Sequence, residues 1–127
     1  MIDWSQYPNF SERELACKCN CQRADMNIHF MRQLQALRTA YGDPMVITSG
    51  YRCRDHNDAI GGGPAHVLGR AVDVAIDRGA AHEFTKLALL HGFSGIGFKQ
   101  HGENRFIHID NLTDREAVPR PTIWSYF

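Results

Sequence analysis

Two stretches of this chain carry residue types that can do metal chemistry: Pro64-Ala65-His66-Val67-Leu68-Gly69-Arg70-Ala71-Val72-Asp73 and Phe106-Ile107-His108-Ile109-Asp110. Side chains of a strand alternate between its two faces. Val72, Val74 and Ile76 then share one face and Ala71, Asp73 and Ala75 the other. In the second stretch Ile107 and Ile109 oppose Phe106, His108 and Asp110. If the two strands are neighbours, about 4.8 Å apart, Asp73 and His108 reach one ion, and His66 on the Gly-rich approach can supply a third ligand. Two imidazoles and a carboxylate, with a fourth position left to water, is the usual composition of a catalytic zinc site. Singly, each is a polar residue that any solvated sheet face can carry; the chemistry lies in the combination.

The elements that must position these groups can be read in order. Ser11-Glu12-Arg13-Glu14 has the form of a capping box and predicts a short helix ending near Cys17. Asp25 or Asn27 caps the next helix, where Ile28, Met31, Leu34 or Gln35, Leu37 and Tyr41 recur at helical spacing until Gly42-Asp43-Pro44. Met45–Thr48 reads as a strand that delivers Ser49-Gly50-Tyr51-Arg52 to a turn. Residues 53–60 form a short helix, and Gly61-Gly62-Gly63-Pro64 is a loop. It lacks the Lys-Ser/Thr and the following helix of a phosphate-binding loop. After a strand over 71–76, Ala80 to His91 is helical, with Phe84, Leu87, Ala88 and His91 on one face and Gly92 closing it. Gly95–Phe98 is a short strand, Gln100–Arg105 a polar turn, and the tail aromatics Trp124, Tyr126 and Phe127 pack back toward the groove edge. The expected fold is α+β: a small, mainly antiparallel sheet with helices on one face and the zinc site on the other.

The 127 residues make one domain, 1–127, large enough for a real core. Hydrophobic residues at 43% and charged residues at 22% are ordinary for a globular chain. Fourteen basic residues balance fourteen acidic ones, so nothing points to a nucleic-acid footprint or a polybasic membrane patch. The apolar run Leu87–Leu90 is far too short to cross a bilayer, so no membrane insertion is expected. Met1-Ile2-Asp3-Trp4-Ser5 has neither a basic nor an apolar leader region, so no signal peptide is expected. His29, His56, His82 and His91 have no motif around them and read as structural or surface residues. Cys17, Cys19, Cys21 and Cys53 leave three readings open: a zinc cluster, one or two disulfides (Cys17 with Cys53, for example), or reduced thiols. Their alternate spacing is not the Cys-x-x-Cys knuckle of structural zinc, and no catalytic role is indicated for them.

His66, Gly69, Ala71 and Asp73 fit the pattern His-x-x-Gly-x-Ala-x-Asp, and Ser49-Gly50-Tyr51-Arg52 and Phe106-Ile107-His108-Ile109-Asp110 follow in the matching order. With these motifs the chain resembles the D-alanyl-D-alanine zinc peptidases, which include cell-wall carboxypeptidases, endopeptidases and phage endolysins and share a core fold with the hedgehog signalling domain. The resemblance spans about residues 10 to 110. One departure is Pro64, where that family usually has Ser. The resemblance implies one zinc per chain held by His66, Asp73 and His108, and Arg52 beside the metal, holding a substrate carboxylate or an oxyanion. Asp110, on the face of His108, either orients a ligand or loop or caps the strand end in solvent. Several branches place an acidic residue three positions before the last ligand; here that position is Arg105. Other branches use a His a few residues further upstream, so the resemblance favours His101 as the proton-transfer group, with Glu103 the alternative. The implied activity is hydrolysis of a peptide bond in bacterial peptidoglycan, as carboxypeptidase or endopeptidase, with a stem peptide as substrate and a monomer expected. Synthesis in a host cytoplasm and action at the wall or periplasm after release would suit a phage lysis protein let out by a holin. Two other readings keep the fold: a non-catalytic zinc domain that binds peptidoglycan or a protein, and a virion structural component.

Overall fold

Four helices and four of the five strands follow one another in the order that the sequence pattern predicts; the fifth strand is formed by the tail. The computed structural model describes residues 1–127. The helices are α1 (Glu12–Leu15), α2 (Ile28–Tyr41), α3 (Arg54–Ala59) and α4 (Arg78–Leu90); the strands are β1 (Val46–Ser49), β2 (Ala71–Ala75), β3 (Gly95–Lys99), β4 (Phe106–Asp110) and β5 (Thr122–Ser125). They form one sheet in the order β1-β2-β4-β3-β5. All pairings are antiparallel except that of β5, which runs parallel to β3.

Local chemistry explains the helix boundaries. Ser11 and Glu14 close the expected capping box on α1, each accepting the other's backbone N–H. Of the two candidate caps for α2, Asn27 is the one used: its side chain accepts the Phe30 N–H at 2.9 Å. At the far end Gly42 adopts φ +79°, a left-handed conformation that glycine reaches without a Cβ penalty.

One face of the sheet is the core. Val72, Val74, Ile107 and Ile109 are fully buried there against Phe30, Met31, Leu34 and Leu37 of α2 and Phe84 and Ala88 of α4. Ile28, expected in this stripe, is exposed at the start of α2, and Phe30 fills the core instead. The tail differs more. Residues 122–125 are not only folded back but form the edge strand β5, which lies beside β3 through contacts across more than twenty positions of chain. The opposite face of the sheet carries the polar residues of both motifs.

Candidate metal centre

Asp73 and His108 are direct partners in the β2–β4 ladder. The same lateral row continues through Ser49 of β1, Gly97 of β3 and Trp124 of β5, so it crosses all five strands. His66 enters from the loop before β2. That loop is wound by bonds from Leu68 N–H to the Pro64 carbonyl, from Gly69 N–H to that of His66, and from Arg70 N–H to that of Ala65. Gly69 has φ +68°, and a Cβ there would collide with the backbone of Asp25, Met26 and Asn27. The Gly of the motif is thus a double requirement, of conformation and of space. Ala71 is fully buried and packs with Ala65 and Leu112 in a small cluster of its own.

His66, Asp73 and His108 present one ligand atom each within 4.8 Å of one another, and all three are buried. His66 Nδ1 donates to the Gly50 carbonyl at 2.7 Å, and Nε2 faces Asp73 Oδ1 at 3.3 Å. His108 Nε2 donates to Asp110 Oδ2 at 2.7 Å, and Nδ1 faces the same Asp73 oxygen at 3.1 Å. Both rings are therefore held by their outer nitrogens with the inner ones aimed at a carboxylate. Contacts this short between imidazole nitrogens and a carboxylate need either protons on the nitrogens or a metal cation among the three groups. This donor set fits a zinc ion with one open position.

Asp110 is fully buried and accepts from Arg120 at both oxygens, at 2.9 and 2.8 Å. Burial alone would raise its pKa, but His108 and Arg120 outweigh it and lower the carboxyl to about 2. Burial likewise opposes ionisation of Asp73, and the hydrogen bonds from His108 and His66 win, holding it well below the usual carboxylate range. For His108, burial disfavours the charged ring, whereas Asp110 and Asp73 favour it, and the balance raises its pKa. The Arg120 guanidinium also lies over the Trp124 ring, 5.0 Å from its centroid, and that ring is 5.1 Å from His108. A Cβ at Gly95 would strike the Asp110 carboxylate and Arg120 Nε, so this glycine makes room for the pair.

The group opens into a cleft of about 420 Å³. Arg52 forms one side: Nη2 is 3.4 Å from Asp73 Oδ2 and Nε donates to Ser49 Oγ at 3.0 Å. The triple-glycine loop forms the lip. Buried Asn57 donates to the carbonyls of Gly62 and Gly63 at 3.1 and 3.0 Å and ties the loop to α3. Phe106, Trp124 and Tyr126 build the opposite wall. A larger cavity, of about 920 Å³, runs along α4 and contains none of the three ligands.

The structure thus brings together His66, Asp73, His108 and Arg52. It does not bring His101 or Glu103 to them: both side chains are exposed and neither lines the cleft. His101 Nε2 instead donates to the Tyr126 carbonyl at 3.1 Å, and Arg105 turns away to line the α4 cavity. Arg120, Trp124, Tyr126 and Asn57 escape sequence reasoning as site residues; only the aromatic character of the tail hints at two of them.

No curated protein matches the chain. The family model of peptidase M15 matches residues 8–110, which include all three ligands and Arg52 but stop short of Arg120, Trp124 and Tyr126. With four-fifths of its length covered by that model and its histidine–aspartate group assembled on the sheet, the chain belongs to the peptidase M15 family, zinc peptidases of the D-alanyl-D-alanine carboxypeptidase type.

Proposed function

We propose that this chain hydrolyses a peptide bond in the stem or crossbridge of bacterial peptidoglycan, in the manner of a phage endolysin, and acts at the wall or periplasm after release from a host cytoplasm. The observation that carries this reading is the pairing of Arg52 with the metal group on the floor of one cleft. Stem peptides carry free carboxylates next to their scissile bonds, and a guanidinium binds a carboxylate through paired N–H donors. With Nε committed to Ser49 and one Nη2 hydrogen toward Asp73, the remaining N–H groups of Arg52 are free to hold a substrate carboxylate or a developing oxyanion.

Zinc bound at His66, Asp73 and His108 supplies Lewis acidity, polarising the scissile carbonyl and acidifying water. The chain's own residues do the rest. Asp73 is the only carboxylate lining the cleft, and it is a ligand. Tyr126 is the cleft's remaining proton donor besides its Arg and Trp groups; burial raises its phenol pKa, so it stays protonated at neutral pH and donates. We assign it the hydrogen bond to the tetrahedral oxyanion or the leaving amine. His101, expected from sequence to transfer the proton itself, holds the Tyr126 carbonyl from outside the cleft and serves as a positioning residue. Glu103 has no part in this arrangement.

Mass spectrometry of muropeptides from purified sacculi is the test. Zinc-loaded protein should shorten or separate stem peptides, a chelator should abolish this, and added zinc should restore it. His66→Ala and His108→Ala should each lose the zinc of this group. Unchanged muropeptides together with retention on sacculi would favour the non-catalytic binding domain instead.

A further inference from the structure

The fold also gathers every cysteine of the chain at one point away from the cleft. Cys17, Cys19 and Cys21 lie on the loop after α1 and Cys53 is the N-cap of α3, yet their sulfurs all lie within 4.8 Å of one another. The Cys17–Cys19, Cys19–Cys53 and Cys17–Cys53 sulfurs are 3.4, 3.5 and 3.8 Å apart. A disulfide would hold its sulfurs at about 2.05 Å. Four thiolates on one zinc ion, with metal–sulfur bonds of about 2.3 Å, form a tetrahedron whose edges are about 3.8 Å. The three separations fall at or just short of that edge.

Backbone donors point the same way. Each sulfur accepts one backbone N–H: Cys17 from Cys53 at 3.3 Å, Cys19 from Cys21 at 3.3 Å, Cys21 from Arg23 at 3.5 Å and Cys53 from His56 at 3.4 Å. A neutral thiol is a weak acceptor, whereas a thiolate makes charge-assisted bonds with such donors. Lys18, Arg23 and Arg54 stand within two residues of the cysteines along the chain and bring positive charge to the same region.

We propose that Cys17, Cys19, Cys21 and Cys53 form a second metal centre, a tetrathiolate site for zinc or another soft divalent cation, raising the count from one metal per chain to two. On loading, four S–H groups ionise and release four protons to solvent; four thiolates and one divalent cation leave a net charge of −2, and no oxidant or reductant takes part. The centre is structural. Together with the bond from Tyr51 N–H to the Leu15 carbonyl, it clamps the N-terminal loop onto Gly50–Cys53. That segment carries the carbonyl that orients His66 and the guanidinium beside Asp73.

Titration of the reduced, metal-free protein with Co²⁺ tests this, because only thiolate ligation produces an intense sulfur-to-cobalt charge-transfer band in the near ultraviolet. The wild type should bind two equivalents and develop the band, and zinc should abolish it. His66→Ala/His108→Ala should bind one equivalent and keep the band, so the readout is independent of the histidine–aspartate group. Cys19→Ser/Cys21→Ser, on the more exposed side of the cluster, should lose the band. A reduced wild type with no band at saturating cobalt overturns the proposal, as does an undiminished band in the cysteine variant. So does a denatured mass showing that protein purified without reductant carries disulfides.

Discussion

His108 illustrates how one residue is fixed from several sides. Its backbone is paired on both flanks, by Asp73 and by Gly97; Nε2 is bonded to Asp110, Asp110 to Arg120, and Arg120 stacks on Trp124, which returns to the His108 ring. Such a closed chain of supports sets the direction of a lone pair, which a strand alone cannot do. The cleft's polar residues divide the catalytic work in a way that kinetics can separate. Arg52→Met should lower kcat/KM about 10²–10³-fold with zinc retained, the range for removing one preorganised oxyanion donor. Tyr126→Phe should lower kcat by a similar factor, whereas His101→Ala should cost less than about tenfold and leave the shape of the pH–rate profile unchanged. A profile that loses its acid limb in His101→Ala would make His101 the proton acceptor and Tyr126 part of the wall.

At the scale of elements, β5 is the piece that turns a metal-bearing sheet face into a cleft. Its seat depends on Gly97, where a Cβ would lie 2.5 Å from the Trp124 ring and 2.8 Å from that of Tyr126. Glycine here is a matter of space, since its backbone is ordinary strand. Gly97→Ala should push both rings outward, costing about 1–3 kcal/mol as other overpacked sites do. Trp fluorescence and activity should change while the zinc content does not. A variant with the wild-type melting temperature and turnover would show that β5 does not shape the cleft. The opposite case is the loop before β2, whose motif was legible because each of its constraints is local. Gly69 needs a positive φ, and His66 and Asp73 the right faces.

For the whole molecule, two depressed carboxyls tie stability to pH. Asp110 titrates at about 2 when folded against 3.8 ordinarily, so its contribution is present above pH 3.8 and lost as pH falls through 2. By linkage that difference is about 2 kcal/mol, and Asp73 acts in the same direction. Metal-free protein should therefore lose stability steeply between about pH 4 and pH 2. Thermal melts across that window should show a shallower loss in Asp110→Asn, although this variant starts less stable because it leaves half-buried Arg120 without its charge partner. A slope identical to the wild type would place the acid sensitivity elsewhere. No helix is long and apolar enough to cross a membrane, and all five strands belong to one sheet.

What the sequence by itself determined is what short-range physics controls. Alternation along β2 and β4 assigned aliphatic residues to the core and Asp73, His108 and Asp110 to the other face, and caps and glycines marked the helix ends. Both faces follow from the pleat, whatever the partners are. Only the tertiary structure decided which distant groups complete each site. Arg120, Trp124 and Tyr126 reach the cleft because β5 pairs in parallel with β3, and Cys53 reaches Cys17 and Cys19 through a closed loop of more than thirty residues. Such contacts leave no period or spacing in the chain, since loop closure brings together residues whose separation carries no signal. For the same reason His101 reads from its neighbours as a group folded over the metal, yet the register of the tail gives it the Tyr126 carbonyl instead.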